Sequence, residues 1–332
     1  MPKNSNQKLK CLYVLEILKT YSDEEHPLNA ADIVKHLESR GITAERKSVY
    51  SDILNLEDFG YDIIKTDSPK VGWFMGEREF EVPEIYLLSD AVRSAKFISP
   101  KKTGTLLSKL NSMLSINQGR RQKTVFFSLK EKSGNEEIYY NIDKISSAIE
   151  DKRQIKVKYL HRRLDKSRDV RESVTEMTFN PYALCWQDDY YYLIGNYQKY
   201  DNLIHLRLDR IRSVDILETK ARPFSEVCDY AESFDTGDYV SRLFGMYTGV
   251  PDRVEFRCKK KISEQIFDRF GEDIFITDVT EEDFKFKADL IVSEALVTWI
   301  INYGADIKVL SPRTLIDTVR ERAQRVLNNY SE

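Results

Sequence analysis

A change of period along the chain constrains its fold more than any other feature. In the first sixty residues apolar side chains recur three and four apart, as on helices; after one more helix near Asn141 they alternate, as on strands. Over 332 residues a single core does not usually hold both regimes, so two or three domains are expected.

In the helical part, Leu12, Leu15, Ile17 and Leu18 give the stripe of a helix from Leu9 to Tyr21. Asn29 is the expected cap of a second helix, with Ile33, Val34 and Leu37 turned inward and Gly41 after its end. Thr43 is the expected N-cap of a third helix through Phe59, closed by Gly60. Residues 61–65 and 71–74 read as strands joined by Thr66-Asp67-Ser68-Pro69-Lys70. Three helices and a hairpin is the winged-helix order, so residues 1–80 are expected to form a winged helix-turn-helix DNA-binding domain. A helical connector, 81–136, follows it.

The third helix opens with Arg46-Lys47-Ser48-Val49-Tyr50. In a helix-turn-helix the early residues of the second helix of the motif lie nearest the base edges. Arg46 is the expected base contact, because a guanidinium can grip guanine with two bonds. Lys47, Ser48 and Tyr50 suit the phosphate backbone, and Lys65 and Lys70 would let the hairpin reach a flanking phosphate. The plainer alternative is a capped surface helix with solvated charges, which Glu45, Asp52, Glu57 and Asp58 favour. Helix order, caps and wing together favour DNA.

Strands are legible at 154–160, 177–186, 190–195, 203–208 and 213–218, with Asp188-Asp189 as a tight turn. Five short strands after one helix predict a small barrel over 137–222. Residues 223–250 resemble a linker, and 251–332 a last α+β unit. Between Lys152 and Arg171 stand nine Lys or Arg against two acids, inside a chain of net charge -3. Charge runs are usually solvated. Here rings adjoin them: alternation groups Tyr159 with His161, sets His205 and Arg207 opposite the apolar face of Leu206, and pairs Tyr182 with Trp186 and Tyr190 with Tyr192. Such rings and cations suit stacking on bases and pairing with phosphates. The expectation is that they converge on one open side, with Arg210 either among them or tied instead to its neighbour Asp209.

Tyr190-Tyr191-Tyr192-Leu193-Ile194-Gly195 and His205-Leu206-Arg207-Leu208-Asp209-Arg210-Ile211 resemble the WYL domain, an Sm-like β-barrel. Tyr191 replaces the tryptophan of the naming tripeptide, and Ile204 stands where many members carry arginine. Arg46 to Ile53 is similar to the DeoR-like helix-turn-helix of these regulators. Trp299-Ile300-Ile301-Asn302-Tyr303-Gly304 and Val309-Leu310-Ser311-Pro312 are similar to their WCX extension. The resemblance implies an α+β multidomain chain: winged helix-turn-helix, connector, Sm-like five-stranded barrel and C-terminal α+β domain. It implies a ligand-responsive transcription regulator, a homodimer on a double-stranded DNA operator. The barrel would sense a nucleotide or single-stranded nucleic acid through Tyr159, His161, Arg163, Tyr182, Trp186, Tyr192, His205, Arg207 and Arg210.

Three other readings stand beside this one. One is a CRISPR-type defence accessory binding single-stranded RNA or DNA; another is a phosphodiesterase using His161 and His205 as acid and base. The third is a purely structural adaptor, which the basic barrel disfavours. No nucleophile elbow, Walker loop or metal-ligand spacing supports an enzyme. The four cysteines are far apart, as free thiols in a reducing compartment are. With no apolar run or signal pattern at the start, the chain is expected to be cytoplasmic, without membrane partner, metal or cofactor.

Overall fold

The computed structural model describes residues 9–121, 132–166, 168–227 and 235–331. The chain divides into two compact units, one up to Gly134 and one from Asn135.

The amino-terminal unit begins with α1 (Lys10–Tyr21), α2 (Ala30–Glu38) and α3 (Arg46–Phe59), then β1 (Ile63–Thr66) and β2 (Gly72–Met75) as an antiparallel hairpin. Val14, Ile17, Leu18, Ile33, Leu37 and Ile53 form its buried centre. Asn29 caps α2 by accepting from the N–H groups of Ala31 and Asp32, and Asp32 returns the bond to complete a capping box. The expected cap on α3 is corrected: Glu45, not Thr43, holds the N-cap position, and its side chain makes no cap bond. Gly60 ends α3 at φ +111°, a conformation glycine tolerates. Gly72 serves a different need. Leu28 pairs with Trp73 through both backbone groups, and a Cβ on Gly72 would lie 2.7 Å from the Leu28 carbonyl carbon. The described residues of the expected connector include α4 (Val82–Ser94), α5 (Pro100–Asn111) and α6 (Ile116–Arg121). Pro100 starts α5, where its missing N–H costs nothing.

The second unit opens with α7 (Ile138–Glu150) and an antiparallel sheet of β3 (Arg153–Leu164), β4 (Val170–Gln187), β5 (Tyr190–Tyr197), β6 (Leu203–Arg207) and β7 (Ile211–Lys220). Its spatial order is β6-β5-β4-β3-β7. Asp188 and Asp189 both have positive φ, the mirror-image turn that matches strand twist, and they join β4 to β5 as expected. Ile155, Val157, Phe179, Leu193 and Leu206 are buried on the inner face, with α7 inserting Ile145 and Ala148. An extra residue interrupts β4. Pro181 pairs with Gly195 but Ala183 pairs with Ile194, so Tyr182 is a bulge and every later β4 residue changes face.

Cys228, residues 122–131 of the expected connector and part of the expected 223–250 linker lie outside the described residues. The described part of that linker is packed. Val227, Tyr239, Leu243 and Met246, around α8 (Thr236–Ser241), are buried against Ala183, Ile194, Leu203 and Ile291. The chain then forms β8 (Val250–Lys259), α9 (Ser263–Phe270), β9 (Phe275–Val279), β10 (Asp283–Val292), α10 (Glu294–Asn302), β11 (Ile307–Ser311) and α11 (Arg313–Asn329). The sheet order β11-β8-β10-β9 with two crossover helices is a split β-α-β arrangement. Its core gathers Phe256, Phe286, Leu296, Val297 and Leu315. Among the described residues, no helix is long and apolar enough to cross a membrane.

Candidate nucleic-acid interface

On α3 the structure brings the expected residues to one exposed end. Arg46 and Lys47 form its first turn, exposed and without a carboxylate partner among the described residues. Tyr50 lies one turn on; its half-exposed ring meets Trp73 of β2 edge-on at 5.0 Å, tying helix to hairpin. Lys65, exposed, is opposite Trp73 in the register. Two other side chains are engaged. Ser48 Oγ donates to the Glu45 carbonyl at 2.8 Å, and Lys70 pairs with Asp32 at 3.1 Å. Beneath the helix, Lys10 Nζ lies 2.7 Å from Asp52 Oδ2 and donates to the Ser48 carbonyl. Both charged groups are about nine-tenths covered, so this pair fixes α3 against α1.

On the second unit the expected single open side does not exist. The β4 bulge leaves Tyr159 and Phe179 on the inner face but turns Cys185, with its register partners Tyr192 and Arg207, outward. Tyr159 is 7% exposed and belongs to the core. Trp186, 48% exposed, pairs with Tyr191 rather than Tyr192, so it faces away from Arg207; Tyr182 instead packs edge-on against Phe224 and donates to the Arg222 carbonyl at 2.9 Å. Burial pushes the Tyr182 phenol up to about 12. The candidate residues therefore fall into two clusters, near opposite ends of β4.

The outer cluster is largely committed. Arg207 binds Asp209 with both Nε (3.0 Å) and Nη2 (2.8 Å), and its guanidinium carbon stands 3.4 Å from the centre of the Tyr190 ring. Asp209 is thus tied to Arg207, not to Arg210, which is exposed. His205 is covered by the 239–246 segment. Its Nδ1 lies 2.8 Å from the Met246 carbonyl and must donate to it, so in the neutral ring Nε2 accepts from the Tyr239 hydroxyl at 3.1 Å. Burial holds its pKa below the ordinary histidine value. With His161 on the inner face and far along β3, the two histidines cannot serve one substrate.

The inner-face cluster extends onto the outer part of the long β3–β4 hairpin. There Arg163 stands directly opposite Arg171, and His161 opposite Ser173. Two like charges in register repel. Asp165 relieves Arg171 at 2.5 Å, while Arg163 is exposed and has no ion-pair partner among the described residues. The His161 ring rests edge-on against Tyr159 at 5.2 Å. Sequence reasoning missed Arg171 and Ser173; the signal for them was the pairing of β3 with β4 about a turn at 165–169. Elsewhere in the basic run two cations are paired across strands, Lys156 with Glu176 and Arg162 with Glu172. No group of three or more His, Cys, Asp or Glu among the described residues is placed to hold a metal ion.

Fold and surfaces together define an α+β multidomain protein with cations displayed on each of its two units. Family models make this specific: residues 140–216 match the WYL domain and 251–327 the WCX domain, so the chain carries one of each. The matches span α7 to β7 and the split β-α-β unit. Among solved structures the chain is similar to proteasome accessory factor B/C (PafBC) of Arthrobacter aurescens, at 15% identity and a TM-score of 0.28 over 97% of this chain and 49% of that one. It spans about half the length of that protein. A crystal structure of a CRISPR Cas-related protein is similar at 16% identity and a TM-score of 0.35, over 100% of this chain and 88% of that one. No curated protein matches the chain.

Proposed function

We infer that the protein is a ligand-responsive, DNA-binding transcription regulator. In this reading α1 to β2 is a winged helix-turn-helix, and the β3–β7 sheet is an Sm-like barrel that senses a nucleotide or single-stranded nucleic acid. The observation that supports it is the exposed Arg46 and Lys47 on the first turn of α3, without an ion pair among the described residues, with Tyr50 joined to the hairpin. A helix start concentrates partial positive charge and free N–H groups, and two cations there favour phosphate and guanine edges. In a homodimer two such helices would read spaced half-sites.

For the ligand, the Arg163–Arg171 pair with His161 is the better anion seat of the two clusters, because Arg207 already has Asp209 and Tyr190. Occupancy regulates only if the ligand favours one arrangement of the DNA-binding helices over another, with the 81–136 connector as the coupling element. Operator selection from random duplexes, followed by electrophoretic retention with and without a short labelled oligonucleotide, tests the reading. Sequence-specific retention altered by the oligonucleotide, with the alteration lost in Arg163→Glu, supports it. Absence of specific retention at moderate salt removes it. Loss of the alteration in Arg207→Ala but not in Arg163→Glu moves the ligand to the outer cluster.

A further inference from the structure

The carboxy-terminal sheet has two unlike faces. One buries Val254, Phe256, Phe284 and Phe286 under the helices. Alternation sends the intervening residues to the other face, which no described helix of the unit covers, and there the register makes a row. Lys308 of β11 stands opposite Arg257 of β8, which stands opposite Lys285 of β10. Three cations thus lie side by side across three strands, about 4.8 Å between neighbours. Asp278 answers Lys285 at 2.9 Å from the outer strand β9, but Arg257 and Lys308 are exposed and form no ion pair among the described residues.

Like charges directly opposed on a sheet are unfavourable in the isolated protein, and strand pairing does not need them. A ring adjoins the row. The bulge between Lys285 and Phe286 lets Phe275 join Lys287 on the open face, where it is 62% exposed. Phe275 lies across from Lys287, which Glu255 approaches at 3.8 Å, and diagonally from Lys285. A phenylalanine offered to solvent at the β9 end of the row suits a partner with both negative charge and flat apolar surface.

We propose that this open sheet face binds a single strand of nucleic acid, its phosphates along the Lys308–Arg257–Lys285 row and a base stacked on Phe275. An acidic peptide would satisfy the row but give Phe275 no flat partner, and a duplex keeps its bases from the ring. The face is distinct from the β3–β4 hairpin, and its assignment does not depend on the regulator reading.

The test uses the full chain and fluorescein-labelled oligo-dT in anisotropy titrations across salt. Arg257→Glu with Lys308→Glu is expected to weaken binding about tenfold and to flatten the log–log salt slope by about 1.4, two phosphate contacts' worth. Arg257→Glu alone sets an anion between Lys308 and Lys285, so for that variant Tm is expected to rise by about 1–2 °C. Loss of affinity with a gain in stability separates a binding role from a structural one. Phe275→Ser should weaken oligo-dT about tenfold and leave competition by poly-glutamate unchanged. Repeating the titrations in Arg163→Glu must give the same change of slope, which isolates this face from the hairpin. An unaltered affinity and slope in the folded double variant overturns the proposal. So does a Phe275→Ser protein that binds oligo-dT normally while poly-glutamate displaces it from wild type, which marks the face as a seat for acidic protein.

Discussion

The first turn of α3 and the basic stretch of β3 and β4 carry similar side chains and treat them in opposite ways. On α3, Arg46 and Lys47 have no carboxylate partner among the described residues, while the ion pair that matters, Lys10 with Asp52, is beneath the helix and holds it in place. Along β3 and β4 most cations are engaged by neighbours: Lys156 by Glu176, Arg162 by Glu172, Arg171 by Asp165. Density of charge in the sequence is therefore a poor guide to charge available to a partner. What separates the two regions is geometry. A helix start projects consecutive residues outward, whereas paired strands bring each cation against whatever the opposite strand supplies.

The largest effect that would sharpen this contrast lies under α3. Asp52→Ala leaves Lys10 covered and unpaired, and a loss of about 3–5 kcal/mol in denaturant unfolding is expected. Replacing both, Lys10→Met with Asp52→Leu, should recover most of it; a double variant as unstable as the single one would mean the pair does not hold the helix. In the sheet the corresponding weak point is Gly195. A Cβ there would come within 2.3 Å of both the Asn180 carbonyl oxygen and the Phe179 ring, so Gly195→Ala should cost about 3 kcal/mol. A neutral result would show the bulge region to be plastic.

Arg46→Ala is expected to weaken specific operator binding by about 1–3 kcal/mol without changing Tm, and Lys65→Ala to weaken all duplexes alike while lowering the salt slope by about 1. If Arg46→Ala acts equally on every sequence, the helix holds phosphate only and the contrast with the sheet narrows. The smallest effect is in pH. His205 is held below its ordinary pKa by burial, so the unfolded chain takes up a proton near pH 6.5 that the folded chain refuses. Stability from this group is present above that pH and declines as pH falls below it. His36, also lowered by burial, acts in the same direction. The difference between wild type and His205→Gln across pH 5 to 7, read by thermal unfolding, isolates the buried imidazole; parallel profiles would place His205 in water.

Much of the architecture was legible in sequence because local rules governed it. Asn29 with Asp32, Gly41, Gly60 and the Asp188-Asp189 turn each carry their own conformational preference, and the apolar periods place the helices and strands between them. The binding residues of the second unit were not, because one inserted residue decided them. Alternation counted from Tyr159 gives the correct face only as far as Pro181; that proline, unable to donate to the ladder of a central strand, was the local mark of a bulge that counting by twos passes over. His205 was hidden for a different reason. The segment that covers it is polar in composition and reads as a tether, yet Tyr239, Leu243 and Met246 are spaced to fill the outside of the sheet. Arg171 opposite Arg163, and Lys308 beside Arg257 and Lys285, depend on pairing between distant strands and have no signature in any one of them.

The extra residue at Tyr182 also bears on how relatives should be lined up and rebuilt. Positions before and after it obey contrary inside–outside rules, so a gap shifted by one column would exchange lining for lagging along the rest of the strand. Deleting Tyr182 would drive Cys185 toward the oily centre and expel Leu184. A redesign of this module must keep that hiccup or rewrite every residue downstream of it.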